Sequence, residues 1–211
     1  MVYVFRKYMN NDIKVSKSEF ICILCLIVSF CGFFGWFYEY IFYFFNSGMK
    51  QFYWRGGNFL PWINIYAIGA FMVILLTSKF RKNPFLVFLI SFFSTGFLEF
   101  LSGFVIYRFF SFRFWDYNTE ILNFMNIGGF VCFRSALFFG LSSLFLIYFL
   151  VPLCIYFTRR FNFKRLFWIS VILCLIILFD ELYNLIVARI FSLPRAHDVY
   201  SMIGFNFMNY R

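Results

Sequence analysis

Three carboxylates lie where carboxylates are expensive. Glu39, Glu99 and Asp180 fall inside long apolar runs, and an unpaired charge at the bilayer centre costs roughly 2.5–3.5 kcal/mol on insertion scales. Two guanidiniums, Arg55 and Arg134, stand near the starts of two other apolar runs. Between Glu99 and Arg134 the chain reads Arg113-Phe-Trp115-Asp116-Tyr117 and then Asn126-Ile-Gly128-Gly129, an aromatic-acidic corner followed by a Gly-Gly turn. Groups of this kind can bind a polar or cationic solute, relay protons, or hold a phosphate. The same groups can also clamp helices by ion pairs and hydrogen bonds, and Trp54 and Trp115 suit the aromatic belt at a membrane surface.

Other chemistries leave no trace. The sequence holds no Gly-x-x-x-x-Gly-Lys-Ser/Thr loop for nucleotide phosphates, no Ser-His-Asp pattern and no His-Glu-x-x-His; the single histidine, His197, lies in the tail. Cys22-x-x-Cys25 has metal-ligand spacing but no second Cys or His pair to complete a site. The six cysteines lie in or beside apolar runs and read as small hydrophobes. No metal and no cofactor is expected, and no catalytic set emerges.

The elements that position these residues follow from composition. Hydrophobic residues make up 63% of the 211 and charged residues 13%, with a mean hydropathy of +0.80. Soluble domains carry about 25% charge, so the fold class is an all-α polytopic membrane bundle. Five apolar runs predict transmembrane helices over about 20–45, 59–77, 85–107, 130–157 and 166–190, between a basic segment, 1–19, and a mildly amphipathic tail, 191–211. The first run is too long for a signal-peptide core and ends in no small-residue cleavage site. Gly32, Gly35 and Glu39 share one helical face, on which the glycines admit a neighbouring helix. Ser91, Thr95, Glu99 and Ser102 form a polar stripe that must face protein or water.

Charge sets the orientation. Basic residues outnumber acidic ones 19 to 9. They gather in loops between spans, as in membrane proteins, so nucleic acid is not an expected partner. The loops 78–84 and 158–165 carry bases and no acids. The positive-inside rule places them and the N-terminus in the cytoplasm and the C-terminus outside. Glu39, Glu99 and Asp180 then fall in the outer half of the bundle with Arg55 and Arg134. The expected site is an outward-facing polar pocket lined by Glu39, Arg55, Glu99, Trp115, Asp116, Tyr117, Asn126, Arg134 and Asp180.

These residues resemble the bacterial CmpB-like "putative ABC-transporter type IV" membrane family. Gly35-Trp36-Phe-Tyr-Glu39 matches its Gly-Trp-x-x-Glu, and Arg55-Gly56, Pro61, Tyr66 and Gly69 follow its Arg-Gly loop and Pro-Ile-Tyr-Gly-x-Gly run less closely. Glu99 and Asp180 match its later helical acids. Trp115-Asp116-Tyr117 and Asn126, Gly129 and Cys132 match its Trp-Asp-Tyr and Asn-x-x-Gly-Arg-x-Cys. Phe130 stands where the family usually has Arg, with Arg134 as the substitute, and Gly128 where it has Asn. The resemblance implies a permease-like protein of the bacterial plasma membrane. An ATP-driven role needs a separate ATPase subunit docking on short cytoplasmic loops, and further copies of the chain are conceivable partners beside the lipid bilayer. The residues alone leave three functions open: a permease-like transport component, an intramembrane enzyme acting on a lipid or lipid-linked headgroup, and a non-catalytic assembly or sensor subunit.

Overall fold

The computed structural model describes residues 1–10, 12–111 and 113–204 and the backbone of 209–210. In chain order its elements are α1 (Val2–Met9), α2 (Lys17–Asn46), β1 (Tyr53–Trp54), α3 (Asn64–Thr77), α4 (Pro84–Phe110), α5 (Phe133–Arg160), α6 (Phe163–Ile190), α7 (Ala196–Met202) and β2 (Asn209–Tyr210). Four helices, α2, α4, α5 and α6, are long and apolar enough to cross a membrane, and the chain is an all-α polytopic membrane protein. The tail read from the sequence as 191–211 contains α7 after the non-helical residues 191–195; residues 205–208 and 211 lie outside the described residues.

Local sequence sets the helix ends. Ser16 caps α2 in a reciprocal capping box with Glu19. Asn83 caps α4, with Pro84 in its first turn, where the missing N–H costs nothing. Asn162 caps α6. Both α5 and α6 contain one π-helical turn, at Leu146–Leu150 and Tyr183–Val187.

The second expected span differs from the sequence reading. Helix α3 has 14 residues, about 21 Å, short of the roughly 30 Å hydrocarbon core. Residues 58–63 ahead of it are not helical. Pro61 disfavours helical geometry in the residue before it, and side chains and backbone elsewhere claim the N–H groups of Phe59, Leu60 and Ile63.

The chain divides into two compact units. In the first, Met1–Val15 and Ile68–Phe157, α4 and α5 pack closely through small residues. A methyl at Gly96 would lie 3.5 Å from the Ala136 Cβ, and one at Gly140 only 2.8 Å from the Phe88 ring. Ser91, Thr95 and Glu99 are buried, so most of the polar stripe faces protein, and Thr95 and Ser102 hydroxyls donate to carbonyls one turn back. Helix α1 docks through Tyr8, whose ring lies 4.2 Å below the Arg81 guanidinium.

In the second unit, Ser16–Ala67 and Thr158–Arg211, α2 packs on α6. The Gly32–Gly35 face admits the chain entering α3: Trp62 lies over Gly32 and Tyr66 over Gly35, and the Ile63 N–H donates to the Gly32 carbonyl at 3.1 Å. β1 pairs in parallel with β2. A methyl at Gly35 would fall 2.1 Å from the Tyr66 ring, whereas at Gly69 the nearest atom is 3.9 Å away. Overpacking of this kind costs about 1–3 kcal/mol or more. Gly35→Leu therefore removes the monodisperse gel-filtration peak of the detergent-purified protein, and Gly69→Ala keeps it.

Candidate functional site

The first unit's site is built around a folded connection. The chain leaves α4 at Ser111, which takes a left-handed conformation, and returns to α5 through a hairpin in which Ile127 and Val131 bridge. Both central turn residues, Gly128 and Gly129, have positive φ, 62° and 81°, as primed hairpin turns demand. Glycine and asparagine both tolerate this region, which accounts for Gly128 in a position where the resemblance has Asn. Gly129 is required twice over. A Cβ there would fall 2.2 Å from Arg113 Nη1 and 2.4 Å from Asp116 Oδ1.

Around that glycine the Trp-Asp-Tyr corner closes the loop. Asp116 accepts from the Asn118 backbone at 3.0 Å and its amide at 2.7 Å, and pairs with Arg113 at 3.3 Å. Asn126 donates to the Asn118 side-chain oxygen at 2.8 Å and accepts from the Gly129 N–H at 2.8 Å. The Trp115 indole donates to the Phe130 carbonyl at 2.9 Å, and the Tyr117 N–H to the Gly129 carbonyl at 3.0 Å. Residues 113–131 thus form a compact cap with its own hydrogen-bond network.

The cap is fastened to the helices at Glu99. This carboxylate, 5% exposed, lies just past the middle of α4 and accepts hydrogen bonds from the Tyr117 hydroxyl, on the cap, and from the Ser135 hydroxyl, in the first turn of α5, at 2.7 Å. The Arg134 guanidinium lies 5.3 Å from the centre of the Tyr117 ring and pairs with Glu120 at 2.6 Å, both side chains largely buried. Cation, aromatic ring and carboxylate therefore follow one another into the helix pair. Phe130, in the position where the resemblance has Arg, packs edge-on against Phe100 and Phe104, and the Arg113 guanidinium covers it at 4.5 Å. Arg134 is thus paired with Glu120, an acid the sequence reading did not single out.

The second unit holds its own polar set. Arg55, 7% exposed, pairs with Glu39 at 2.8 Å and lies 4.0 Å over the Tyr43 ring, while Tyr66 donates to Glu39 at 3.1 Å. Asp180 takes the Phe59 and Leu60 N–H groups at 3.0 and 2.6 Å and the Asn184 amide at 2.8 Å. Glu181 accepts from the Asn58 and Asn64 amides. Two adjacent acids thus hold the non-helical lead into α3. The Tyr200 hydroxyl donates to the Phe59 carbonyl at 2.7 Å; burial pushes its pKa up, and the charge of Asp180 adds to the shift.

The nine residues singled out from the sequence fall into two sets. Glu99, Trp115, Asp116, Tyr117, Asn126 and Arg134 belong to the first unit, and Glu39, Arg55 and Asp180 to the second, each set making the contacts above within its own unit. Sequence reasoning passed over Glu120, Ser135, Asn58, Asn64 and Glu181. Of these, Glu181 had a signal, a second acid beside Asp180 in an apolar run; the others are ordinary loop or helix-start residues until folded. Among the described residues no group of three His, Cys, Asp or Glu is arranged to hold a metal ion, and all six cysteines are free thiols.

Comparison with known proteins adds one match. The model of the family described as "Putative ABC-transporter type IV" matches residues 21–185, a stretch that contains all nine residues. No curated protein and no solved structure matches the chain.

Removing one partner of a buried ion pair costs about 3–5 kcal/mol, whereas replacing both by packed apolar groups is often neutral. Glu120→Leu and Arg134→Met each lower the thermal midpoint of the purified protein, and the double variant recovers most of the loss. A double variant as unstable as the sum of the two would contradict a direct pair.

Proposed function

Because the chain belongs to the family described as "Putative ABC-transporter type IV" and is a multi-pass membrane protein of transport type, we propose that it is a permease-like component whose first unit recognises a cationic solute at Glu99. One observation carries this reading: a carboxylate buried in a membrane-spanning helix has a ligand, Tyr117, supplied by the loop outside that helix. A carboxylate withdrawn from water needs compensating donors. An ammonium or guanidinium offers more to it than a phenol does. Such a solute takes the place of the Tyr117 hydroxyl, and Tyr117 leaves Glu99 together with the cap it belongs to. Binding and opening are then one event.

The basic loops 78–84 and 158–165 favour the cytoplasmic side, and the cap, one long helix away from each, then lies on the outer side of a bacterial plasma membrane. The sequence carries no nucleotide-binding loop, so an ATP-driven cycle takes a separate ATPase subunit. Glu39, Arg55 and Asp180 act in this reading as the polar frame of the second unit, holding the lead into α3.

A thermal-shift panel tests the proposal. Spermidine, L-arginine and choline are compared with L-glutamate and inorganic phosphate on wild-type and Glu99→Gln protein. A cation at 100 times its Kd stabilises by about 2.7 kcal/mol, a rise of roughly 5–10 °C for a chain of this size. The rise is expected for wild type with at least one cation and is absent in Glu99→Gln. Equal stabilisation of both proteins, or a response confined to the anions, contradicts it.

A further inference from the structure

The cap carries a surface that the solute reading does not use. Between Glu120 and Arg134 the sequence contains no charged residue. Leu122, Phe124, Met125 and Ile127 are 61%, 53%, 76% and 59% exposed. Four large apolar side chains within six residues, left open on a loop, form a patch of the kind that marks an interaction site. The backbone shapes the patch. Leu122 and Met125 both have φ near +54°, a conformation that bulky L-residues avoid, so the turns on either side of Phe124 are held against local preference.

Depth identifies what meets this surface. Helix α4 continues from Glu99 to Phe110, about three turns or roughly 16 Å. The cap does not stand on the end of α4, because Tyr117 reaches back down to Glu99. Helix α5 begins at the same level, since Ser135 in its first turn also touches Glu99. The cap therefore lies alongside the last turns of α4, below that helix's end, with Phe130 packed against Phe100, Phe104 and Tyr107 of α4. The side-chain amides of Asn118, Asn123 and Asn126 are spent inside the cap, on Asp116, the Tyr117 carbonyl, and Asn118 and Gly129 respectively, so they do not call for water at its edge. Its charge-free edge touches α5 only at Phe124, whose ring lies 5.7 Å from that of Phe133, and leaves Leu122, Met125 and Ile127 exposed.

We infer that the edge Leu122–Ile127 is an interfacial membrane anchor, inserted into the headgroup and acyl boundary of the leaflet on the cap's side of the membrane. Aromatic and aliphatic side chains on such an element bury about 5–10 Å into the boundary, where backbone groups still meet headgroups and water, and the Asn123 and Asn126 side chains are already bonded within the cap. The occupant is lipid rather than a soluble protein because the patch sits at the height of apolar α4 turns whose own side chains, Leu101, Phe104 and Val105, are lipid-type exposed surface. The anchor does not depend on which solute meets Glu99.

Site-directed spin labelling tests it. Nitroxides are placed singly at Leu122→Cys, Met125→Cys and, as a control on the polar side of the cap, Thr119→Cys. The background is a cysteine-free full-length chain that keeps the wild-type gel-filtration profile, reconstituted in phosphatidylcholine–phosphatidylglycerol vesicles. Power saturation compares oxygen, which concentrates in lipid, with a water-soluble nickel chelate. Labels at positions 122 and 125 are expected to be relaxed by oxygen and to lose relaxation by the chelate, while position 119 responds to the chelate. If all three respond to the chelate alike, the edge is in water and the anchor is wrong, leaving the patch to a soluble partner.

Discussion

The hydrogen bond between Tyr117 and Glu99 ties the connection between α4 and α5 to the middle of α4. Inside a bilayer there is no water to satisfy a carboxylate, so donors must come from the protein. Ser135 supplies one by packing α5 onto α4. Tyr117 supplies another, and to bring it there the connection folds into a cap. The Arg113–Asp116–Asn118–Asn126 network, the left-handed Gly128–Gly129 turn and the stacking of Arg134 on Tyr117 all serve to present one phenol at one depth. The buried Arg134–Glu120 pair adds a constraint of its own. Such pairs contribute little net stability but are costly to break singly, so they favour one arrangement of the cap over its neighbours.

The second unit solves the same problem with backbone and side-chain amide donors. Asp180 accepts from the Phe59 and Leu60 N–H groups and Glu181 from the Asn58 and Asn64 side chains, so those two N–H groups are satisfied although the stretch ahead of α3 stays out of helix. A π-helical turn follows in α6, and Asn184 within it reaches back to Asp180. Interrupted helices and π-turns at membrane depth are features that transporters place at moving or binding parts. Here they are tied down by carboxylates, as Glu39 is tied to Arg55 and Tyr66.

Much of this was legible in the sequence, for reasons specific to membranes. Long apolar runs fix helices because no other structure satisfies the backbone in lipid, and the first, third, fourth and fifth runs became α2, α4, α5 and α6 nearly in place. Gly32 and Gly35 announced a close approach, and Trp62 and Tyr66 make it. The stripe Ser91–Thr95–Glu99 announced a protein-facing side and has one. What stayed hidden depends on long-range pairing. Apolarity alone cannot tell 59–63 from helix, because its non-helical path is decided by Asp180, more than a hundred residues away. Glu120 looked like a loop acid until Arg134 met it. The resemblance located Trp115–Tyr117 and Gly129 as important but gave no reason; the reason is that a side chain on Gly129 would fill the space in which Arg113 and Asp116 meet.

The central claim is that the phenol–carboxylate contact holds the cap down together with the Arg134–Glu120 pair and the packing of Phe130 on α4, and Cys132 reports on its share. This thiol is 2% exposed and lies beneath the cap beside Ser135. Alkylation of Cys132 by N-ethylmaleimide, followed by peptide mass spectrometry on detergent-purified protein, reads how often the cap lifts. Wild-type Cys132 reacts slowly. Tyr117→Phe, which keeps the ring under Arg134 and removes only the hydroxyl, leaves the protein folded and makes Cys132 react faster; a net hydrogen bond to a charged group of about 1.5–3 kcal/mol corresponds to roughly 10- to 150-fold. A folded Tyr117→Phe protein whose Cys132 is as protected as in wild type would show that the cap is held by something else.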